Sequence, residues 1–269
     1  MSVLAEKLRF NKAQGRKSLI VYITAGYPDM DTTLAAVLAA EAAGADLIEL
    51  GIPFSDPIAD GPVIQKAAVA SLAAGTTPRS CLELVRRIRS KSGIPLGFMT
   101  YINLILSYGP EKFARDCREI GVDALIIPDL PPEESDLLQI PCDQHGLDLI
   151  QFVTPTSTVE RVVMSCQSAS GFIYCISNTG VTGVRSIDYS AVAPSVELVR
   201  QVTDLPIAIG FGIGTPDAAR SASRFADGVI VGSAVVQLLE TKDIAAVKDF
   251  LSGIRQELDK EGQPDASVS

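Results

Sequence analysis

The chain has a single histidine, His145, and no tryptophan among its 269 residues. One histidine argues against a zinc or metal-aldolase centre, which gathers several nitrogen, sulfur or carboxylate ligands in one place. The five cysteines (Cys81, Cys117, Cys142, Cys166 and Cys175) are scattered, odd in number and never spaced C-x-x-C. That pattern fits reduced thiols in the cytoplasm, not a disulfide framework. No apolar run approaches the ~18 residues of a membrane span. The opening residues lack the basic-then-apolar order of a signal peptide, so neither membrane nor secretion is expected. The net charge is -9 and no dense Lys/Arg run occurs, which speaks against a nucleic-acid partner. The strongest basic cluster, Arg86, Arg87, Arg89 and Lys91, reads as the solvated face of a helix.

What is present is a rhythm. Apolar, β-branched runs at 19–24, 46–50, 95–99, 124–127, 148–153, 172–176, 206–209 and 228–231 alternate with longer amphipathic stretches. Near-continuous apolarity suits parallel strands buried on both faces. The intervening stretches carry helix punctuation. Thr77-Pro78 and Thr215-Pro216 place a capping threonine before a first-turn proline. Ser157-Thr158-Val159-Glu160 reads as a capping box. The phrases Gly44-Ala45-Asp46, Gly121-Val122-Asp123 and Gly146-Leu147-Asp148 each read as a helix stop followed by a strand. Pro95 and Pro206 read as first strand residues.

Eight such units in one chain of 269 residues point to a single-domain (β/α)8 TIM barrel. Residues 4–14 read as an N-terminal capping helix over its floor, and 262–269 as a disordered tail. A doubly wound open sheet is the alternative. It wants a glycine-rich dinucleotide turn after the first strand, and Thr24-Ala25-Gly26-Tyr27-Pro28 does not supply one.

Barrel enzymes place their chemistry at the C-terminal ends of strands. There, Glu49 interrupts an apolar run. A glutamate is almost never buried without a partner, and no lysine ends any strand here. An apolar setting would raise its pKa toward neutrality, where it both gives and takes protons. Asp60 lies above it in a proline-punctuated loop, although Asp60-Gly61-Pro62 reads equally well as a turn and helix cap. Glycine clusters follow the last three strands: Gly180-Val181-Thr182-Gly183, Gly210-Phe211-Gly212-Ile213-Gly214 and Gly232-Ser233-Ala234. Their backbone N–H groups suit a phosphate. The missing barrel lysine disfavours a Schiff-base aldolase. Acid–base chemistry on a phosphorylated substrate remains, with no cofactor and no metal.

The run from Glu49 through Ser55-Asp56-Pro57-Ile58-Ala59-Asp60 to Gln65 resembles the signature of tryptophan synthase α subunits. Pro128-Asp129-Leu130-Pro131 and the three glycine clusters extend the resemblance over nearly the whole chain. It implies cofactor-free retro-aldol cleavage of indole-3-glycerol phosphate to indole and glyceraldehyde 3-phosphate. It also implies roles. Glu49 is the general acid/base, and Asp60 accepts the indole N–H. Tyr174 lies near the glycerol hydroxyls. Gly183, Gly212, Gly232 and Ser233 bind phosphate. Tyr22, Tyr101, Ile126 and Phe211 line the pocket, and Thr182 lies in a lid. A pyridoxal-phosphate β subunit is the implied partner in an α2β2 complex, facing residues 53–60 and 180–190. A stand-alone indole-releasing lyase and a phosphosugar isomerase are the competing readings. The isomerase wants carboxylates at the first and fifth strands, where Thr24 and Thr154-Pro155 offer none.

Overall fold

The computed structural model describes residues 2–177 and 189–261. Eight parallel strands close into a barrel in sequence order: β1 Ser18–Thr24, β2 Leu47–Gly51, β3 Leu96–Met99, β4 Ala124–Ile126, β5 Asp148–Val153, β6 Ile173–Ile176, β7 Ile207–Gly210 and β8 Gly228–Val231. The expected strands are all present, with ends differing by at most one residue. Pro95 and Pro206 sit one residue ahead of their strands, yet their carbonyls already accept from Ile48 and Ile173.

Around the barrel run α1 Val3–Ala13, α2 Met30–Ala42, α3 Pro62–Ala73, α4 Pro78–Arg89, α5 Ile102–Tyr108, α6 Pro110–Glu119, α7 Asp136–His145, α8 Val159–Ser168, α9 Ala193–Val202, α10 Pro216–Ser223, α11 Ser233–Leu239 and α12 Ile244–Glu261. Thr77 and Thr215 cap α4 and α10 as expected. The cap of α8 is a correction: Thr158, not Ser157, accepts from Arg161 N–H. Ser157 is unavailable because its hydroxyl accepts from Thr154 N–H at 3.0 Å in the preceding turn.

Side-chain alternation along each strand sorts the core into two layers. Ile48, Leu50, Leu125 and Val229 face outward to the helices. Ile20, Leu47, Ala124, Ile126, Ile150, Phe172, Tyr174, Ala208 and Ile230 fill the barrel itself. Leu4 and Leu8 of α1 join that inner cluster, so α1 plugs the floor. Each such leucine contributes roughly 1.5–3 kcal/mol by leaving water.

The floor carries a fourfold device. Asp46 accepts the N–H of Leu19 on β1 at 2.9 Å, and Asp123 that of Leu96 on β3 at 2.9 Å. Asp227 accepts from Ile207 on β7 at 3.0 Å, and Ser170 from Leu149 on β5 at 2.8 Å. Each acceptor precedes an even-numbered strand and ties down the start of the odd one before it. Cations surround the aspartates: Arg16 reaches Asp46 at 2.5 Å, Arg89 reaches Asp123 at 2.9 Å, and Arg200 reaches Asp227 at 3.4 Å. Arg89 therefore leaves the solvated face expected for it. It also bonds the carbonyls of Gly121 and Ile94, at 2.8 and 2.5 Å. Arg86 and Arg87 do stay on the surface, paired with Glu83 and Asp31.

Candidate active site

Period-two alternation decides where Glu49 points. Leu47 belongs to the barrel interior, so Glu49, two residues on, shares that face at the level where the mouth begins. Its register neighbours are Tyr22 on β1 and Gly97 on β3. Glu49 is 1% exposed, and neither carboxylate oxygen has a hydrogen-bond partner. Burial alone, with nothing opposing it, pushes its pKa up to about 8.

Glycines shape the space around it. A Cβ at Gly97 would lie 2.9 Å from Ile126 Cδ1, so the glycine lets Ile126 lean in beside Glu49. On β1, Tyr22 tilts toward the mouth and lays its phenol across Gly51. On β6, Tyr174 does the same across Gly210, and a side chain on either glycine would overlap the ring. Both arrangements follow one rule: the glycine lies two residues beyond the tyrosine's register partner. Thr24 donates to the Tyr22 hydroxyl at 3.3 Å. Burial raises the Tyr22 and Tyr174 phenols, and the nearby carboxylates Asp60 and Glu49 raise them further, so both stay neutral.

Asp60 sits half-buried in the loop between β2 and α3. Burial raises its pKa to about 6, and hydrogen bonding from the Tyr101 hydroxyl holds it from rising more. Tyr101 also anchors the loop: its hydroxyl accepts from Ala59 N–H at 3.1 Å, and its ring stacks on Phe54 at 5.3 Å. The helix-cap reading of Asp60 does not describe this arrangement. Gly61 is the N-cap residue of α3, and no side chain caps that helix.

The late glycine turns also reach the mouth. Phe211, after β7, is 43% exposed and has φ 81°, a left-handed backbone rare for an aromatic residue. Such strain costs on the order of 1–3 kcal/mol and gathers at functional sites. Gly212 follows it at φ 76°. Gly232 leaves β8 against the Tyr22 ring, where a Cβ would lie 3.4 Å from Tyr22 Cβ, and Ser233 opens α11. Thr182 and Gly183 lie outside the described residues, as does the 262–269 tail.

The structure thus gathers Glu49, Asp60, Tyr22, Tyr101, Ile126 and Tyr174 at one mouth. Phe211, Gly212, Gly232 and Ser233 stand at the ends of the neighbouring strands β7 and β8. Sequence reasoning missed Thr24, Gly51 and Gly97 as parts of this site, and read Gly210 only as part of a phosphate turn. The signal was present as glycine on inward strand positions, but only the register shows which tyrosine each accommodates. Two open clefts lie elsewhere, on the helix ring. One of about 320 Å3 is lined by Arg79, Tyr108 and Lys112, and one of about 280 Å3 by Val63, Lys66 and Gln237. Neither takes in any of the predicted residues, and neither contains a buried, unpartnered carboxylate. His145 ends α7, paired with Glu111 at 2.6 Å.

A closed (β/α)8 barrel with a desolvated acid and a second carboxylate at its C-terminal mouth defines an enzyme of the acid–base class. Comparison with known proteins makes that specific. The sequence profile of the tryptophan synthase alpha chain matches residues 8–261. The tryptophan synthase alpha chain of Geobacter sp. (strain M21) is 48% identical over 253 residues, 94% of this chain and 95% of that one. That of Gluconacetobacter diazotrophicus is 50% identical over 241 residues, 89% of this chain and 88% of its own. The crystal structure of tryptophan synthase subunit alpha from Legionella pneumophila str. Paris superposes with a TM-score of 0.89 at 36% identity, covering 97% of this chain and 99% of that one. The chain belongs to the tryptophan synthase alpha chain family. It is a lyase that cleaves indole-3-glycerol phosphate, and a β subunit is its partner.

Proposed function

We propose that Glu49 and Asp60 divide the cleavage between them. Releasing indole requires a proton on the ring carbon that loses the side chain, and removal of the proton from the adjacent side-chain hydroxyl as the aldehyde forms. Glu49 serves both needs. It is protonated near neutral pH because burial raises it to about 8, so its first act is donation. The resulting carboxylate then takes up the hydroxyl proton, which restores it. Asp60, raised only to about 6, is ionised over the same range. It accepts the indole N–H and stabilises the positive charge that the protonated ring acquires. Two carboxylates with separated pKa values thereby hold acid and base at one pH. The observation that carries this reading is the burial of Glu49 with both oxygens unpartnered.

The remaining groups position the substrate. Tyr22, Tyr101, Ile126 and Phe211 wall the indole, and Tyr174 faces the glycerol hydroxyls. The turns at Gly212 and Gly232-Ser233, with Gly183 and a lid containing Thr182, hold the phosphate by backbone N–H groups. The chain pairs with its β partner as α2β2. Ile58, 81% exposed in the loop above Glu49, and Leu106, 47% exposed on α5, supply an apolar surface for that contact. Five free, buried cysteines suit work in the reducing cytoplasm.

The test is indole release from indole-3-glycerol phosphate, with and without a β subunit. Glu49→Gln should abolish release while a phosphate-bearing product analogue still binds. Near-normal turnover in that variant removes Glu49 from the mechanism. Equal rates with and without the β subunit would favour the stand-alone lyase.

A further inference from the structure

The Glu49 carboxylate has a property that indole-3-glycerol phosphate cleavage uses only in passing. Both oxygens are buried, and no donor must be released before either takes a proton. A carboxylate without solvating partners is a far stronger base toward carbon acids than one in water. Its surroundings are aromatic and apolar. Tyr22 and Tyr174 flank it, Ile126 leans over Gly97 beside it, and Phe54 stacks on Tyr101 above it.

We propose that the same mouth catalyses ring-opening of benzisoxazoles, fused five-six-ring heteroaromatics whose one acidic C–H lies next to an N–O bond. The inference rests on reading Glu49 as the proton-transfer group of an indole pocket. An ionised Glu49 oxygen takes the C–H proton. The C–H electron pair becomes the third bond of a nitrile, the N–O bond breaks, and its electrons leave on oxygen as a phenolate. Glu49 then returns its proton to water. The product is a cyanophenol isomeric with the substrate, so no oxidant, reductant or co-reactant is needed.

Among the described residues, Tyr22 from β1 and Tyr174 from β6 face Glu49, and Asp60 from the β2 loop and Tyr101 from the loop after β3 lie beyond them at the same mouth. The three phenols are all raised and stay neutral. Asp60, whose charge acts on all three phenols, is ionised above about 6. Ring-opening needs Glu49 as carboxylate, whereas indole release begins from Glu49 as acid. The two activities therefore move in opposite directions as pH rises through about 8.

The experiment uses the full chain with 5-nitrobenzisoxazole and follows the coloured nitrophenolate. Expected are saturable turnover, competition by indole, a rate that rises with pH to a plateau above about 8, and a loss of about 100-fold or more in Glu49→Gln. Glu49→Asp, which keeps the acid but retracts it, should retain the rising pH profile at a lower plateau. Turnover that survives in Glu49→Gln, or that indole does not inhibit, overturns the inference. So does absence of ring-opening in a wild-type chain that still releases indole, and that outcome leaves the lyase reading standing. Indole release that persists in Glu49→Gln overturns instead the reading of Glu49 as the proton-transfer group.

Discussion

Asp46 at the floor of the barrel and Glu49 at its mouth are three positions apart on one strand segment, and each is 1% exposed. Asp46 accepts a backbone N–H from β1 and lies within 4 Å of Arg16, Lys7 and Arg255. Glu49 has no partner at all. Asp123 follows the floor pattern: burial raises it, but the Leu96 N–H and the Arg89 guanidinium oppose that rise. Nothing opposes it at Glu49. The floor buries carboxylates as structural acceptors. The mouth keeps one unsatisfied, and burial then sets its pKa near neutral, where the proton transfer we propose needs it. The comparison teaches that burial alone does not shift a carboxylate as far as neutral pH. Burial without a compensating partner does.

That contrast is open to attack from both ends. The largest effect expected is on turnover: Glu49→Gln should lose about 100-fold to 10,000-fold in kcat, read by indole release. The same variant should not lose stability. The folded pKa of Glu49 lies above its unfolded value of 4.5, so the native state holds its proton longer. Wild-type stability therefore falls as pH rises from about 4.5 to about 8, and the uncharged variant escapes that loss. Melting curves should show the variant gaining on wild type between pH 5 and pH 9. A variant that loses ground over that range would place a hidden partner on Glu49.

Asp46→Ala should do the reverse. It strands the Leu19 N–H and takes one of two carboxylates from Arg255, which keeps Asp259 at 2.7 Å, and should cost about 1–3 kcal/mol in denaturant unfolding. Turnover per folded molecule should hardly change, and a large drop in kcat would erase the distinction between floor and mouth. Next in size, the pH profile of kcat/KM should be a bell, rising through about 6 as Asp60 ionises and falling through about 8 as Glu49 does. The smallest effect is expected from Tyr101→Phe. Removing the hydroxyl that bonds Asp60 should move the acid limb upward, and freeing Ala59 N–H should cost about 1 kcal/mol. An unmoved limb would detach Tyr101 from Asp60.

Much of this was legible before any coordinate. The eight apolar runs marked the strands, because parallel strands buried on both faces leave no room for polar alternation. Thr77-Pro78, Thr215-Pro216 and the left-handed glycines at 44, 121 and 146 marked helix ends through local stereochemistry. Glu49 was conspicuous as a charge inside such a run. Other features were not legible because they depend on neighbours distant in sequence. Ser157 and Thr158 are both good caps, and only the turn at Thr154 shows which hydroxyl is already engaged. Arg89 sits among surface arginines, yet its guanidinium reaches the Gly121 carbonyl 32 positions away. The Gly-x-Asp phrases at 44–46 and 121–123 were readable as helix stops, but not as acceptors for the strand next door.

The sequence by itself determined the count and order of the strands and the identity of the acid, since periodicity and a lone glutamate in an apolar strand are properties of the chain. Only the tertiary structure decided that this glutamate has no partner while Asp46 has several. Which donors surround a carboxylate depends on strand register and on helices returning from far along the chain. Closing the barrel brought cations to its floor, and phenols and glycines to its mouth. That difference in company separates an acid that holds the fold from the one we propose for the chemistry.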